Sequence, residues 1–257
     1  MGSLALSSHR PAPAPRAITS ELLLHRLRNF ATLAPHEAEL VLSLAEAPKS
    51  HAAGTGICPR DDGSPHPRLI VGGWACRPRI LPDGRRQMLG VLLPGDMMGD
   101  RGDRRPLALN PVIALTPVRT IGIARLVQAV RTEPREYPGI VRALAAIDRC
   151  EETALLDHVV RLGCQSALQR TAHLLLELHH RLSLIGFVHS GTFPMPLTQD
   201  TLGELLGLSL VHINRIVSQM RREELALIRG GVATIQDFPR LALLADRIDP
   251  TSHAGSA

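Results

Sequence analysis

The sequence predicts an α+β protein in which a short-stranded antiparallel sandwich or barrel is followed by a mainly helical half that closes on a two-stranded hairpin. Three observations lead there. Between about Lys49 and Thr132, closely spaced Gly and Pro separate short apolar runs: Leu69-Ile70-Val71, Met88 to Leu93, Val112-Ile113 and Val118 to Ile123. Such runs between turn signals are the pattern of small antiparallel sheets. After Pro138, apolar positions recur in steps of three and four, which is helical periodicity. Near the C-terminus, two short helical patterns are joined by a glycine turn and followed by a diglycine hairpin. With 257 residues, of which 44% are apolar, the chain has material for a core and is not disordered throughout.

In chain order, residues 1–19, in which Pro11, Pro13 and Pro15 alternate with alanines, lack periodicity and predict a flexible arm. Residues 20–136 predict the strand-rich domain with flanking helices. A first helix carries Leu23, Leu27 and Phe30 on one face, and a second runs from Pro35 through Leu40, Val41 and Leu44. Pro82-Asp83-Gly84 marks a hairpin turn, since proline presets one dihedral and glycine accepts a positive one. Arg77 and Arg79 enter that hairpin, and Arg85 and Arg86 leave it.

Residues 137–165 predict one long helix. Ile140, Leu144, Ile147, Glu151, Ala154, His158 and Leu162 form a stripe expected to run beside a partner helix, so the chain is expected to pair with itself through 138–162. Residues 166–240 predict a DNA-binding unit, and 241–257 a last helix and tail. The segment from Leu197 to Ser209 reads as a capping threonine, Thr198, a short helix, a glycine turn and a capping serine, Ser209. In the next helix Ile213, Ile216, Val217 and Met220 turn inward. That leaves Leu210, Val211, His212, Asn214, Arg215, Ser218, Arg221 and Arg222 outward to varying degrees, and Asn and Arg on an outward face match adenine and guanine edges in a major groove. Leu227 to Ile235 around Gly230-Gly231 reads as a wing.

These residues resemble the cyclic-AMP receptor protein/fumarate-nitrate regulator (Crp/Fnr) family of bacterial transcription factors. The likeness covers most of residues 21–238 and is strongest at Thr198 to Ile235 and from Gly73-Trp74-Ala75-Cys76-Arg77 through Leu81-Pro82-Asp83-Gly84-Arg85-Arg86-Gln87. It implies an N-terminal cyclic-nucleotide-binding-like β-roll, a long dimerisation helix and a C-terminal winged helix-turn-helix. It also implies double-stranded DNA, a second copy of the chain and RNA polymerase as partners. Arg215 matches the family's base-reading arginine, and Val211 stands where well-studied relatives have an acidic residue. Thr198, Gln199 and Ser209 stand at positions of phosphate contact or of ordinary helix capping. Gly99-Asp100-Arg101-Gly102-Asp103-Arg104-Arg105-Pro106 departs from the cassette that binds cyclic nucleotides, so the pocket reads as degenerate and cyclic AMP is not the expected ligand. The N-terminal cysteine cluster of the oxygen-sensing branch is absent, because no cysteine precedes Cys58.

Charge and chemistry narrow the rest. Lys+Arg total 29 against 24 Asp+Glu, for +5, and only Lys49 is lysine. Residues 166–230 hold six arginines and five acids, net +1, so binding to phosphates leans on placement and on two copies of the unit. No phosphate loop, nucleophile elbow or metal-ligand set is present, which argues against an enzyme, and neither a metal nor another cofactor is expected. Cys76, beside Arg77 and Arg79, is a redox candidate if exposed. No apolar run reaches the ~18–20 residues that span a bilayer, and the expected compartment is the cytoplasm. The rival reading is a regulatory module whose winged helix binds a protein instead of DNA.

Overall fold

The computed structural model describes residues 16–43, 47–57, 67–99 and 111–245, with backbone alone at 16–19. Most of the expected N-terminal arm, Cys58, the stretch 100–110 compared with the nucleotide cassette, and the tail from 246 lie outside the described residues. The first helix, α1 (Arg16–Arg28), begins inside the segment expected as an arm, and α2 (Pro35–Ser43) follows.

Seven strands come next: β1 (Lys49–His51), β2 (Arg68–Gly72), β3 (Ala75–Ile80), β4 (Arg86–Leu92), β5 (Met97–Met98), β6 (Ile113–Ala114) and β7 (Val118–Gly122). They form two antiparallel sheets, in order β1-β7-β2-β5 and β4-β3-β6. The β3–β4 hairpin turns where proline and glycine predict: Leu81 N–H donates to Arg85 O at 2.8 Å, and Gly84 sits at φ +82°. Side chains fill the roll, because Ile57, Ile70, Ala75, Leu92, Met98, Val112, Ala114 and Val118 make one buried cluster.

After the last strand comes α3 (Ala124–Thr132), whose Leu126, Val127 and Val130 are buried at helical spacing. The long helix α4 (Pro138–Cys164) starts against α2. Glu37 of α2 is buried, and its Oε1 accepts the N–H groups of Gly139 (2.6 Å) and Ile140 (3.1 Å) while Oε2 accepts that of Ala34 (2.7 Å). A carboxylate from another helix thus satisfies donors that every helix start leaves open. Burial pushes the Glu37 pKa up, but the three donors outweigh it and hold the carboxyl below its ordinary value. Only glycine fits at 139, since a Cβ there would lie 2.7 Å from Thr32 O.

Part of the stripe expected to face a partner packs on its own chain, while Leu144, Glu151, Ala154 and Leu162 of the same stripe are half-buried. Ile140, Ile147 and His158 are buried, and His158 Nε2 lies 3.1 Å from Met88 O of β4. The apolar face left uncovered is another one, Leu155, Leu156, Val159 and Val160, which are 46%, 60%, 66% and 52% exposed. The C-terminal half of the helix thus carries a second, shorter apolar face beside the stripe, and periodicity alone does not say which of them meets the protein's own core.

The remainder comprises α5 (Ala167–Ser183), β8 (Thr192–Pro194), α6 (Gln199–Leu206), α7 (Leu210–Arg222), β9 (Ala226–Arg229), β10 (Val232–Ile235) and α8 (Phe238–Leu244). Helix α5 opens with a capping box in which Ser166 and Gln169 satisfy each other's backbone N–H groups. The two halves join through a shared core and a charge chain. Trp74, Cys76, Met88, Val91 and Leu93 of the roll cluster with Leu174, Leu175, Leu178, Leu205 and Ile213 of the helical half. Arg161 pairs with Glu177 at 2.6 Å, Glu177 with Arg181 at 3.1 Å, Arg181 with Asp96, and Asp96 with Arg26 at 3.6 Å. Charges alternate along this path from α4 through α5 and the roll to α1.

Candidate nucleic-acid interface

Helix α6 starts at Thr198, whose hydroxyl accepts the Thr201 N–H at 3.1 Å, and ends at Gly207 in the left-handed conformation (φ +64°). The turn into α7 is tight enough that a Cβ at Gly203 would lie 2.7 Å from Leu208 O. These two glycines fix the angle between the helices, one by its dihedral and one by its lack of a side chain. Ser209 caps α7, its hydroxyl accepting the His212 N–H at 3.4 Å. From the roll, Arg86 Nε donates to Glu204 Oε2 at 2.8 Å and Gln87 Nε2 to Glu204 O at 2.7 Å, so the β3–β4 hairpin holds α6 from behind.

Helix α7 divides as its pattern predicts. Ile213, Ile216 and Met220 are buried and Val217 is half-buried. The opposite face presents Val211 (80% exposed), Asn214 and Arg215, with His212 and Ser218 half-buried beside them. Asn214 Nδ2 donates to Leu210 O at 3.1 Å, and Arg215 Nη2 donates to His212 Nε2 at 2.7 Å. Thr198, Gln199 and Ser209 are exposed on the same unit. Thr198 and Ser209 are both spent on capping, and Gln199 opens α6.

The wing is the β9–β10 hairpin, in register Val232 to Arg229, with Gly230 (φ +62°) and Gly231 (φ +76°) between. Two positive dihedrals in a two-residue loop suit the right-handed twist of the strands, and glycine supplies them without steric cost. A third strand, β8, pairs with β10 and stiffens the wing. Arg221 and Arg222 are exposed in the last turn of α7, as expected, and Arg229, exposed at the wing turn and not singled out from the sequence, adds further positive charge. A basic residue beside a diglycine hairpin was the available signal for Arg229.

The redox expectation for Cys76 is corrected. The pleat of β3 turns Cys76 into the core, at 2% exposure, and turns Arg77 to the other face, where it pairs with Glu151 at 3.9 Å. Burial pushes the thiol up to about 11, and Arg86 offsets only part of that. Cys150 and Cys164 are the exposed cysteines among the described residues. His179 is spent on packing, its ring 5.8 Å from Phe193 and 5.5 Å from Phe238. No helix among the described residues is long and apolar enough to cross a membrane.

A family model described as a Crp-like helix-turn-helix domain matches residues 169–244. The chain is 29% identical to the transcriptional activator protein FnrL of Cereibacter sphaeroides over 235 residues, 85% of this chain and 91% of that protein. It is 29% identical to the nitrogen fixation regulation protein FixK of Bradyrhizobium diazoefficiens over 171 residues, 65% of this chain and 68% of that protein. Among solved structures it is similar to FixK2 from Bradyrhizobium japonicum, with a TM-score of 0.66 and 25% identity, over 79% of this chain and 98% of that one.

Proposed function

The chain belongs to the Crp/Fnr family, whose members are DNA-binding transcriptional regulators, and from that membership we propose that it is a sequence-specific regulator acting as a homodimer on a palindromic operator. One observation carries the reading: α7 presents Val211, Asn214 and Arg215 on an uncovered face, on a helix capped by Ser209 and flanked by a wing. Arg215 reads a guanine by paired hydrogen bonds. Asn214, once released from Leu210 O, reads an adenine, and Val211 meets a thymine methyl where an acidic residue would have sought a cytosine amino group. Thr198, Gln199, Ser209 and Ser218 contact the backbone and set register.

The uncovered apolar face of α4 supports pairing with a second copy, with half-sites about one helical turn, ~34 Å, apart. The departure of Gly99 to Pro106 from the nucleotide-binding cassette supports a degenerate pocket that does not take cyclic AMP. RNA polymerase is the further protein partner, no reaction is catalysed, and the site of action is the cytoplasm. The test is selection of bound duplexes from a random-sequence library at one fixed salt concentration, followed by titration of the Arg215→Ala variant. A palindromic consensus that Arg215→Ala binds measurably more weakly is expected. An unselective protein, or an Arg215→Ala variant with unchanged affinity, would favour a winged helix that binds protein.

A further inference from the structure

The bond from Arg215 Nη2 to His212 Nε2, at 2.7 Å, joins positions i and i+3 on the face of α7 that meets solvent. Long side chains on a helix lean back toward its N-terminus, which brings the guanidinium over the residue one turn earlier. A guanidinium has donors only, so the imidazole nitrogen it meets must offer its lone pair. The accepting nitrogen of His212 is therefore occupied before any nucleic acid arrives. Arg215 loses little by this. The terminal nitrogen it uses carries two hydrogens, one on each two-donor edge of the guanidinium, so one edge stays whole for a guanine whichever hydrogen His212 takes.

We infer that His212 is a positioning residue that acts through Arg215, holding the guanidinium over the start of α7 in the orientation that reads a base instead of reading one itself. The inference rests on α7 being the base-reading helix and adds a division of labour within it. An exposed arginine on a free surface samples many rotamers and must give them up on binding. One tethered to a half-buried imidazole has given up part of that freedom already, and the gain appears in specific binding, where the orientation of the fork matters. Non-specific binding, which needs only charge near phosphates, is indifferent to it.

The experiment uses the full chain and two probes: a duplex recovered from the random library and a scrambled duplex of equal composition, at one salt concentration. His212→Ala should weaken the selected duplex about 3- to 10-fold per half-site and leave the scrambled duplex unchanged. His212→Gln, whose side-chain oxygen stands near the position of Nε2, should recover most of the loss, while the shorter His212→Asn should not. In the Arg215→Ala background, His212→Ala should cost nothing more. Melting temperatures establish that each variant folds; if His212→Ala does not, the Gln and Asn variants carry the comparison.

Equal losses in both backgrounds would overturn the inference by making His212 a direct contact, and so would a His212→Ala variant that binds the selected duplex normally. Should the unsubstituted protein select no sequence, and Arg215→Ala change nothing, the DNA-reading premise falls and the inference with it. That failure differs from one in which Arg215→Ala weakens the selected duplex and only the His212 variants stay silent.

Discussion

Truncating Leu156 tests which face of α4 meets a second copy. The side chain is 60% exposed in a single chain, and Leu→Ala removes three carbons, worth ~0.8 kcal/mol each when fully buried. Scaled by the exposed fraction, a partner that covers this residue gains ~1.4 kcal/mol from those carbons. A two-fold interface contains every position twice, so the dimer should lose about 3 kcal/mol and its dissociation constant should rise about 100-fold. Ile147 is the control: it belongs to the stripe that packs internally and is 1% exposed, so Ile147→Ala should cost ~2–5 kcal/mol of stability and leave association alone. Sedimentation equilibrium across a concentration series gives both dissociation constants, and thermal melting gives the stabilities. If Leu156→Ala leaves the constant within threefold, or if Ile147→Ala raises it as much, the assignment of the uncovered face is wrong.

Other outcomes follow from the same contacts. Arg215→Ala should weaken a selected duplex by ~1–3 kcal/mol per half-site and relax the preference at one base position, as binding to single-base variants of the duplex would reveal. Under native conditions near pH 8, a thiol reagent should modify Cys150 and Cys164 promptly and Cys76 at least ~100-fold more slowly, as peptide mass mapping would show; rapid labelling of Cys76 would contradict its burial and its pKa of about 11. Glu37→Gln should lower stability by ~1.5–3 kcal/mol, because an amide has one accepting oxygen where the carboxylate serves donors with two. The Glu37 pKa is depressed in the folded chain, so its contribution is complete above the ordinary value of 4.5 and fades as pH falls through the folded value. Melting curves of the parent and Glu37→Gln should therefore differ at pH 7 and converge toward pH 3.

What was legible in the sequence was whatever repeats locally. The glycine turn at 207, the capping serine at 209 and the inward spacing of Ile213, Ile216 and Met220 identified the two helices and their faces, and Gly230-Gly231 identified the wing. Pro82-Asp83-Gly84 located a hairpin for the same reason. What was hidden depends on partners distant in sequence. Glu37 is about a hundred residues from the helix start it caps, and Asp96 is 85 from Arg181. Cys76 was misread because neighbours in a strand point to opposite faces, so the arginines beside it in sequence are not beside its sulfur. Periodicity favours the longer stripe of α4 as the partner face, and only the burial of Ile140, Ile147 and His158 points to the shorter face at Leu155 to Val160. His212 was read as one more outward residue, since a bond between side chains a turn apart leaves no mark in composition.

The shared core of Trp74, Met88, Val91 and Leu93 with Leu174, Leu178 and Leu205 bears on how the protein melts. Two modules with separate cores would unfold in separate steps, whereas one cluster drawing on both gives a single cooperative transition. The reader half cut free at residue 166 would expose the underside of α5 and α6 to water and would be a poorer folder than the whole chain. Evolution of the roll is constrained accordingly: a substitution at Met88 or Leu93 changes the folding free energy of a DNA-reading unit it never touches through DNA. A perturbation of the roll can then be felt at α7 as a change in how often the reader is locally open, with no hinge between the two halves required.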